Sequence, residues 1–185
     1  SNLFLYETFS KTNSFSEELQ LKSELGNWQS LRWNSDLIAL TYRHDLFLKE
    51  YLVKNCENCG TIPKSSAVCL ICGTLVCVGQ ACCRKSHGEC YMHRKKCSGD
   101  IGLFLLVRSC AILLVSDSIG TIVPAPYLNS YGEHDFDLSS SSALFLNDSL
   151  YSGKLGAMWK NGALRDFILR NMDNSRVQAS SWAML

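Results

Sequence analysis

The sequence predicts an α+β domain in which a small antiparallel sheet and flanking helices adjoin a compact cysteine-rich module. Nine of the ten cysteines fall between Cys56 and Cys97. Three apolar, β-prone runs follow them, and segments with helical spacing of apolar residues stand before and after. The chain has 185 residues, of which 46% are hydrophobic, so it is long enough to bury a core.

The segment before the cysteines is predicted to be a linker followed by a helical lead-in. Ser14 begins a capping-box pattern and Gly26 is placed to end a short helix, so residues 1–26 are assigned to a linker with one helix. Residues 27–55 contain two tryptophans and then apolar residues at helical spacing between 44 and 54. This second helix leads directly into the first cysteine.

Residues 56–100 have the spacing of a metal-binding module. Two C-x2-C-G knuckles are present, with nine residues between Cys59 and Cys69, and the last cysteines follow the pattern C-x2-H-x3-C. Cysteine and histidine at such spacing are typical of tetrahedral zinc sites. The candidate ligands are Cys56, Cys59, Cys69, Cys72, Cys77, Cys82, Cys83, Cys90, His93 and Cys97. Two closed sites need eight ligands, so two of these ten would not bind metal.

The ligand order predicts an interleaved, cross-brace-like arrangement, in which the first and third ligand pairs share one metal and the second and fourth share the other. One site would contain Cys56, Cys59, Cys77 and Cys82, with Cys83 as the alternative to Cys82. The other would contain Cys69, Cys72, His93 and Cys97, with Cys90 as the alternative to Cys97. Catalytic zinc usually keeps three protein ligands and an open water position, so these sets favour two structural zinc ions.

The rest of the chain is predicted to form a sheet and then helices. The runs GLFLLV, CAILLV and GTIV, separated by short polar turns, predict an antiparallel meander within residues 101–146. The same segment ends in a loop rich in proline, glycine and acidic residues around Tyr131 and Glu133. Residues 147–185 are predicted to contain two C-terminal helices and a tail.

Several functional classes are disfavoured by composition and motif. The formal net charge is +1, so no strong field would draw the chain to nucleic acid or to an anionic membrane. The longest apolar run is interrupted by Arg108 and is too short to span a bilayer. We expect no signal peptide at the start of the chain, and no H-E-x-x-H metalloprotease motif is present. Cys110 lies in an apolar run, where burial would keep a thiol unreactive.

The sequence also resembles a known family. The matching segments are AVCLICGTLVC at residues 67–77, the Cys82-Cys83 doublet, the C-x2-H-x3-C pattern and PYLNSYGEHDFDL at residues 126–138. Together they resemble the C-terminal domain of the UBR-family E3 ubiquitin ligases, the N-recognins of the N-degron pathway. The likeness covers about residues 27–160. It departs from the family at the serine run 139–142, where an Arg-Arg-Gly-x-Pro-Leu stretch is expected.

The resemblance implies a regulatory and architectural role within a cytoplasmic RING-type ligase. The domain would be non-catalytic, would pack on the substrate-recognition and RING regions, and would contribute to autoinhibition. Its direct partners would be the other domains of the ligase, with the ubiquitin-charged E2 and N-degron substrates engaged indirectly. An alternative is that the cysteine module is itself a RING-like surface that binds an E2 and acts directly in ubiquitin transfer.

Tyr131, Glu133 and Asp135 are the predicted partner-binding residues. They lie in an acidic loop that could engage a basic surface. The competing interpretation is that the Glu133 carboxylate and the turn at Gly132 hold the zinc module against the meander.

Overall fold

A computed structural model describes residues 36–83, 87–117 and 119–171 and confirms the α+β fold class. Its elements in chain order are helix α1 (His44–Tyr51), strands β1 (Ser66–Cys69) and β2 (Leu75–Cys77), helix α2 (Glu89–Cys97), strands β3 (Ile101–Leu106), β4 (Ala111–Ser116), β5 (Ile119–Pro124), β6 (Tyr127–Leu128) and β7 (Phe145–Leu146), a π-helix (Ser149–Gly156), helix α3 (Ala157–Lys160) and helix α4 (Leu164–Asn171). A small antiparallel sheet with flanking helices is therefore present, as predicted.

The core of the fold is a five-stranded antiparallel sheet with the order β2-β1-β3-β4-β5. The predicted meander forms its last three strands. Every residue of β4 is buried, as are five of the six in β3. Helix α2 packs against β2 and β3, and α4 packs against β4 and β5. Central strands that are covered in this way have continuous apolar sequences and not alternating apolar and polar residues.

The cysteine module contains more regular structure than its sequence predicts. Besides the turns of its two knuckles, the module forms β1, β2 and α2. Strand β1 pairs with β3, with Ala67 opposite Leu106 and Cys69 opposite Phe104. These strands are too short to show periodicity, and α2 buries Arg94 and Cys90 where an amphipathic helix would bury aliphatic residues. Pairing with β3 therefore brings the module and the meander into one sheet.

Two helical arms are present in the C-terminal segment, and the first begins as a π-helix. That arm continues into α3, whose Trp159 is 1% exposed. A turn follows in which Gly162 has a φ of 67°, a conformation that favours glycine. The helix predicted between residues 14 and 26 and the tail beyond Asp173 lie outside the described residues. Within the described residues, no helix is long and apolar enough to cross a membrane.

The helical lead-in is confirmed over α1 and is attached to both halves of the fold. The backbone N–H of Ile38 donates to the carbonyl of Leu70, beside the second knuckle, at 2.8 Å. The Tyr151 hydroxyl of the π-helix donates to the carbonyl of Ile38 at 2.7 Å. The chain before α1 thus bridges the cysteine module and the C-terminal helices.

Candidate metal centres

The structure brings four cysteine sulfurs together in a first cluster. These are Cys56, Cys59, Cys77 and Cys83, whose Sγ atoms all lie within 4.8 Å of one another. The Sγ atoms of Cys56 and Cys83 are 3.8 Å apart, as are those of Cys59 and Cys77. A zinc ion with Zn–S bonds of about 2.3 Å at tetrahedral angles requires sulfurs about 3.8 Å apart. The donor set therefore fits tetrahedral zinc.

A second cluster combines the second knuckle with helix α2. Its members are Cys69, Cys72, His93 and Cys97, and their donor atoms also lie within 4.8 Å of one another. The Sγ atoms of Cys69 and Cys97 are 3.9 Å apart, and Cys72 Sγ lies 3.2 Å from His93 Nε2. His93 and Cys97 are four residues apart on α2, so one turn of helix presents both to the knuckle. The Phe104 ring packs edge-on against the imidazole at 6.0 Å between centroids.

Each knuckle is a tight turn that requires its glycine. The N–H of Gly60 donates to the Cys56 carbonyl, and that of Gly73 donates to the Cys69 carbonyl, both at 2.8 Å. The two glycines have φ values of 68° and 81°, in the region that side chains disfavour. In the first turn the N–H of Asn58 also points at Cys56 Sγ, at 3.4 Å. The sequence C-x2-C-G therefore determines this local geometry directly.

Burial and the close contacts within the clusters shift the pKa values of the cysteines in both directions: those of Cys59 and Cys72 are lowered, whereas those of Cys69, Cys77 and Cys83 are raised. Hydrogen bonds from the Cys69 and Cys97 thiols lower the pKa of Cys72, and hydrogen bonds with Cys72 and Cys97 raise that of Cys69. Burial acts to lower the pKa of His93, but hydrogen bonds with these two knuckle cysteines outweigh it and raise the value to about 10. In the first cluster, a hydrogen bond with Thr61 lowers the pKa of Cys59 to about 6. Thiolate is the form of cysteine that binds metal.

Cys82, Cys90 and Cys110 lie outside both clusters. Cys82 is exposed, and although its Sγ is 3.8 Å from that of Cys77, it does not belong to the four mutually close sulfurs. Cys90 is completely buried in the apolar core, and this burial raises the pKa of its thiol. Burial likewise raises the pKa of Cys110 to about 12. The first cluster thus contains Cys83, the alternative, in place of Cys82, and the second contains Cys97 and not its alternative Cys90.

Glu89 was not among the residues predicted for the site, yet it lies against the first cluster. Its side chain is 8% exposed, and both carboxylate oxygens are 3.6 Å from Cys56 Sγ. The same carboxylate accepts the backbone N–H of Cys77 at 2.9 Å. A glutamate does not appear in cysteine-spacing patterns, so only the folded chain reveals this contact.

The predicted partner-binding loop is held in shape by Asn129. The side-chain oxygen of Asn129 accepts the backbone N–H groups of Tyr131 at 2.9 Å and Glu133 at 3.0 Å. Its amide donates to the Glu133 carboxylate at 3.1 Å, and Gly132 has a φ of 81°. Tyr131, at the tip, is 84% exposed. The bonds described for Glu133 thus run within the loop and not to the cysteine module.

Asp135 shapes the other end of this loop. Its carboxylate accepts the backbone N–H and hydroxyl groups of Ser139 and Ser140, at 2.7 to 3.2 Å. These bonds, first among them that of the Ser140 hydroxyl, lower the pKa of the carboxyl. The loop is joined to the sheet where the Cys110 N–H donates to the Phe136 carbonyl at 2.9 Å. Of the three predicted residues, Tyr131 and Glu133 therefore face outward most freely.

The fold and the two clusters define a small α+β domain with two closed sites of the structural-zinc type. Comparison with known families agrees: the model described as Proteolysis_6 C-terminal matches residues 8–161. The chain belongs to this family, and it is a C-terminal domain of the UBR-family E3 ubiquitin ligases. The resemblance inferred from the sequence is thereby confirmed.

Individual relatives are large proteins named as ligases. The chain is 37% identical over 139 residues to E3 ubiquitin-protein ligase ubr1 of Schizosaccharomyces pombe, a match that covers 75% of this chain and 7% of that protein. It is 32% identical over 125 residues to human E3 ubiquitin-protein ligase UBR3, covering 66% and 7%. It is 33% identical over 117 residues to E3 ubiquitin-protein ligase PRT6 of Arabidopsis thaliana, covering 63% and 6%. The chain thus spans only about 7% of the length of these curated relatives.

Proposed function

We propose that this domain is a regulatory and architectural module of a cytoplasmic RING-type E3 ubiquitin ligase of the N-degron pathway. It would pack on the substrate-recognition and RING regions and restrain the ligase in an autoinhibited state. The observation that supports this most is the closure of both clusters, each of which offers four protein donors. A closed tetrahedral site stabilises a fold and leaves no position for a substrate.

Each cluster would hold one structural zinc ion. In the first, four thiolates would link the first knuckle to the end of β2 and to Cys83. In the second, three thiolates and the His93 imidazole would join the second knuckle to α2. A structural zinc supplies on the order of 10 kcal/mol of apparent binding free energy to folding. That stabilisation suits a segment whose strands are only three and four residues long.

The loop that carries Tyr131, Glu133 and Asp135 would be the surface that contacts the other domains. A fully exposed tyrosine on a preorganised loop loses little conformational entropy on binding, and tyrosine is enriched among residues that dominate interface energetics. Glu133 beside it favours a basic partner surface. Asp135 would act by fixing the loop conformation, because its oxygens already accept bonds from Ser139 and Ser140. The charged E2 and the substrates would be engaged only indirectly.

Replacement of Tyr131 and Glu133 in the full-length ligase tests this proposal. We expect Y131A and E133Q to leave the melting temperature of the isolated chain unchanged. In the full-length ligase they should reduce cross-links between this domain and the remaining domains and raise basal autoubiquitination. Tyr42→Ala is the matched control, since Tyr42 is also exposed, at 66%, and lies in the segment before α1. Unchanged cross-linking in Y131A, or a collapsed melting temperature, would refute the proposal.

A direct role in ubiquitin transfer is the second candidate. The clusters alternate along the chain, so that the first and third ligand pairs form one site and the second and fourth form the other. This is the cross-brace order of a RING. Incubation of the chain with an E2 carrying thioester-linked ubiquitin separates the two roles. Accelerated discharge would establish the RING-like role, whereas an unchanged rate supports the regulatory one.

A further inference from the structure

Helix α2 contacts both clusters through a single face. Glu89, His93 and Cys97 are spaced four residues apart, so their side chains lie one above another along the helix. Glu89 contacts Cys56 and Cys77 of the first cluster, whereas His93 and Cys97 belong to the second. The helix therefore places a carboxylate at one cluster and two ligands at the other.

The position of the Glu89 carboxylate is specific. It accepts the N–H of Cys77 at 2.9 Å, a buried backbone donor that pairing with β1 does not satisfy. Glu89 is also the first residue of α2, where the positive end of the helix dipole favours a negative charge and offsets its nearness to the sulfurs. The contact thus fixes the start of α2 relative to the end of β2, which carries a ligand of the first cluster.

The β1–β2 hairpin provides a second connection between the clusters. Cys69 ends β1 and belongs to the second cluster, whereas Cys77 ends β2 and belongs to the first. The hairpin fixes these two ligands relative to each other, and α2 packs against β2 and β3. Two side chains of α2 also bond to Cys77 of the first cluster: the Glu89 carboxylate accepts its N–H at 2.9 Å, and the Cys90 thiol donates to its carbonyl at the longer distance of 3.9 Å.

We propose that Glu89 is a positioning residue that couples the two metal sites. Occupation of the first cluster orders the start of α2 through the Glu89–Cys77 contact. This ordering raises the metal affinity of the second cluster. This inference rests on the proposed binding of zinc at both clusters. It assigns Glu89 a role that extends beyond the cluster it touches. Residues that orient metal ligands in this way typically change metal affinity by about 10- to 100-fold when they are replaced.

Titration of the metal-stripped chain with Co2+ tests the coupling. Visible absorption distinguishes cobalt bound by four thiolates from cobalt bound by three thiolates and an imidazole, so each cluster is followed separately. Glu89→Ala should weaken the second cluster by about 10- to 100-fold, although the carboxylate that it removes contacts Cys56 and Cys77 of the first cluster. Glu89→Gln keeps an oxygen that can accept the Cys77 N–H, and we expect it to restore most of the affinity. Glu57→Ala is the matched control, because it removes an exposed carboxylate from the same knuckle and should change neither cluster.

The outcomes separate the coupling from metal binding itself. Weakening of the first cluster alone in Glu89→Ala, or no change at either, would overturn the coupling. A second measurement does not depend on that variant: Cys59→Ser disables the first cluster and should lower the cobalt affinity of the second in the otherwise wild-type chain. An unchanged second cluster in Cys59→Ser would also overturn it. Failure of the wild-type chain to bind metal at either cluster would refute the zinc proposal instead.

Discussion

The adjacent cysteines Cys82 and Cys83 provide a sharp test of the first cluster. Cys83 is 6% exposed and its Sγ lies 3.8 Å from that of Cys56, inside the group of four sulfurs. Cys82 is exposed and lies outside that group. Replacement of either residue by serine removes one thiol, and the two replaced positions are adjacent in the same loop. Only Cys83→Ser should open the site.

The size of the effect follows from the closed geometry. A structural zinc contributes on the order of 10 kcal/mol of apparent binding free energy. If Cys83→Ser abolished about half of that contribution, the melting temperature would fall by roughly 10–20 °C, since 1 kcal/mol corresponds to about 2–4 °C in a chain of this size. The zinc content should fall from two ions per chain to one. Cys82→Ser should retain both ions and melt within a few degrees of wild type.

Native mass spectrometry and thermal denaturation measure these two quantities. The wild-type chain and both variants are purified in the presence of zinc and freed of loosely bound metal. Retention of two ions in Cys83→Ser would mean that Cys82 can take its place, which would refute the assignment. Loss of an ion in Cys82→Ser would refute it equally.

Two further predictions concern the contacts that support the clusters. Arg94 is 1% exposed and its guanidinium donates to Asp117 at 3.3 Å, so Arg94→Ala should lower the free energy of unfolding in urea by at least about 1.5–3 kcal/mol, the value of a charged hydrogen bond. Arg165 is half-exposed beside the same aspartate, so Arg165→Ala should lower it by only about 0–1 kcal/mol. Equal losses of stability in the two variants would contradict this reasoning. A Cβ atom at Gly102 would clash with the Phe104 ring, which packs against the histidine of the second cluster. Gly102→Ala should therefore displace that ring and accelerate chelator-induced zinc loss from the second cluster, and an unchanged release rate would count against this role.

The cysteine module shows most clearly which features depend on local sequence and which depend on long-range contacts. The C-x2-C-G spacing encodes each knuckle, because the turn involves only five consecutive residues and its positive φ falls on the glycine. The order of the ligand pairs was also sufficient to predict an interleaved arrangement. Spacing alone could not decide whether Cys82 or Cys83 belongs to the first cluster. The side chains of two adjacent residues take different directions only when the loop is folded.

The strands of the sheet show the same limit. The meander was predictable because its apolar runs are separated by polar turns. Strands β1 and β2 were not, because three or four residues show no periodicity. Strand β1 forms where β3 offers an unpaired edge, and β2 then pairs with β1. Helix α2 was missed for a related reason: it buries Arg94 and Cys90, so its sequence lacks an apolar stripe.

The sequence by itself determined that this protein is a cysteine-rich α+β domain with two metal-type donor sets, and its motifs indicated the ligase family. These features depend on residue type and on spacing over a few positions. Only the tertiary structure decided which cysteines come together, that Glu89 joins the first cluster, and that Tyr131 stands on a loop fixed by Asn129. Each of these depends on contacts between segments whose relative placement is set by the packing of the sheet and α2, and no local pattern records that placement.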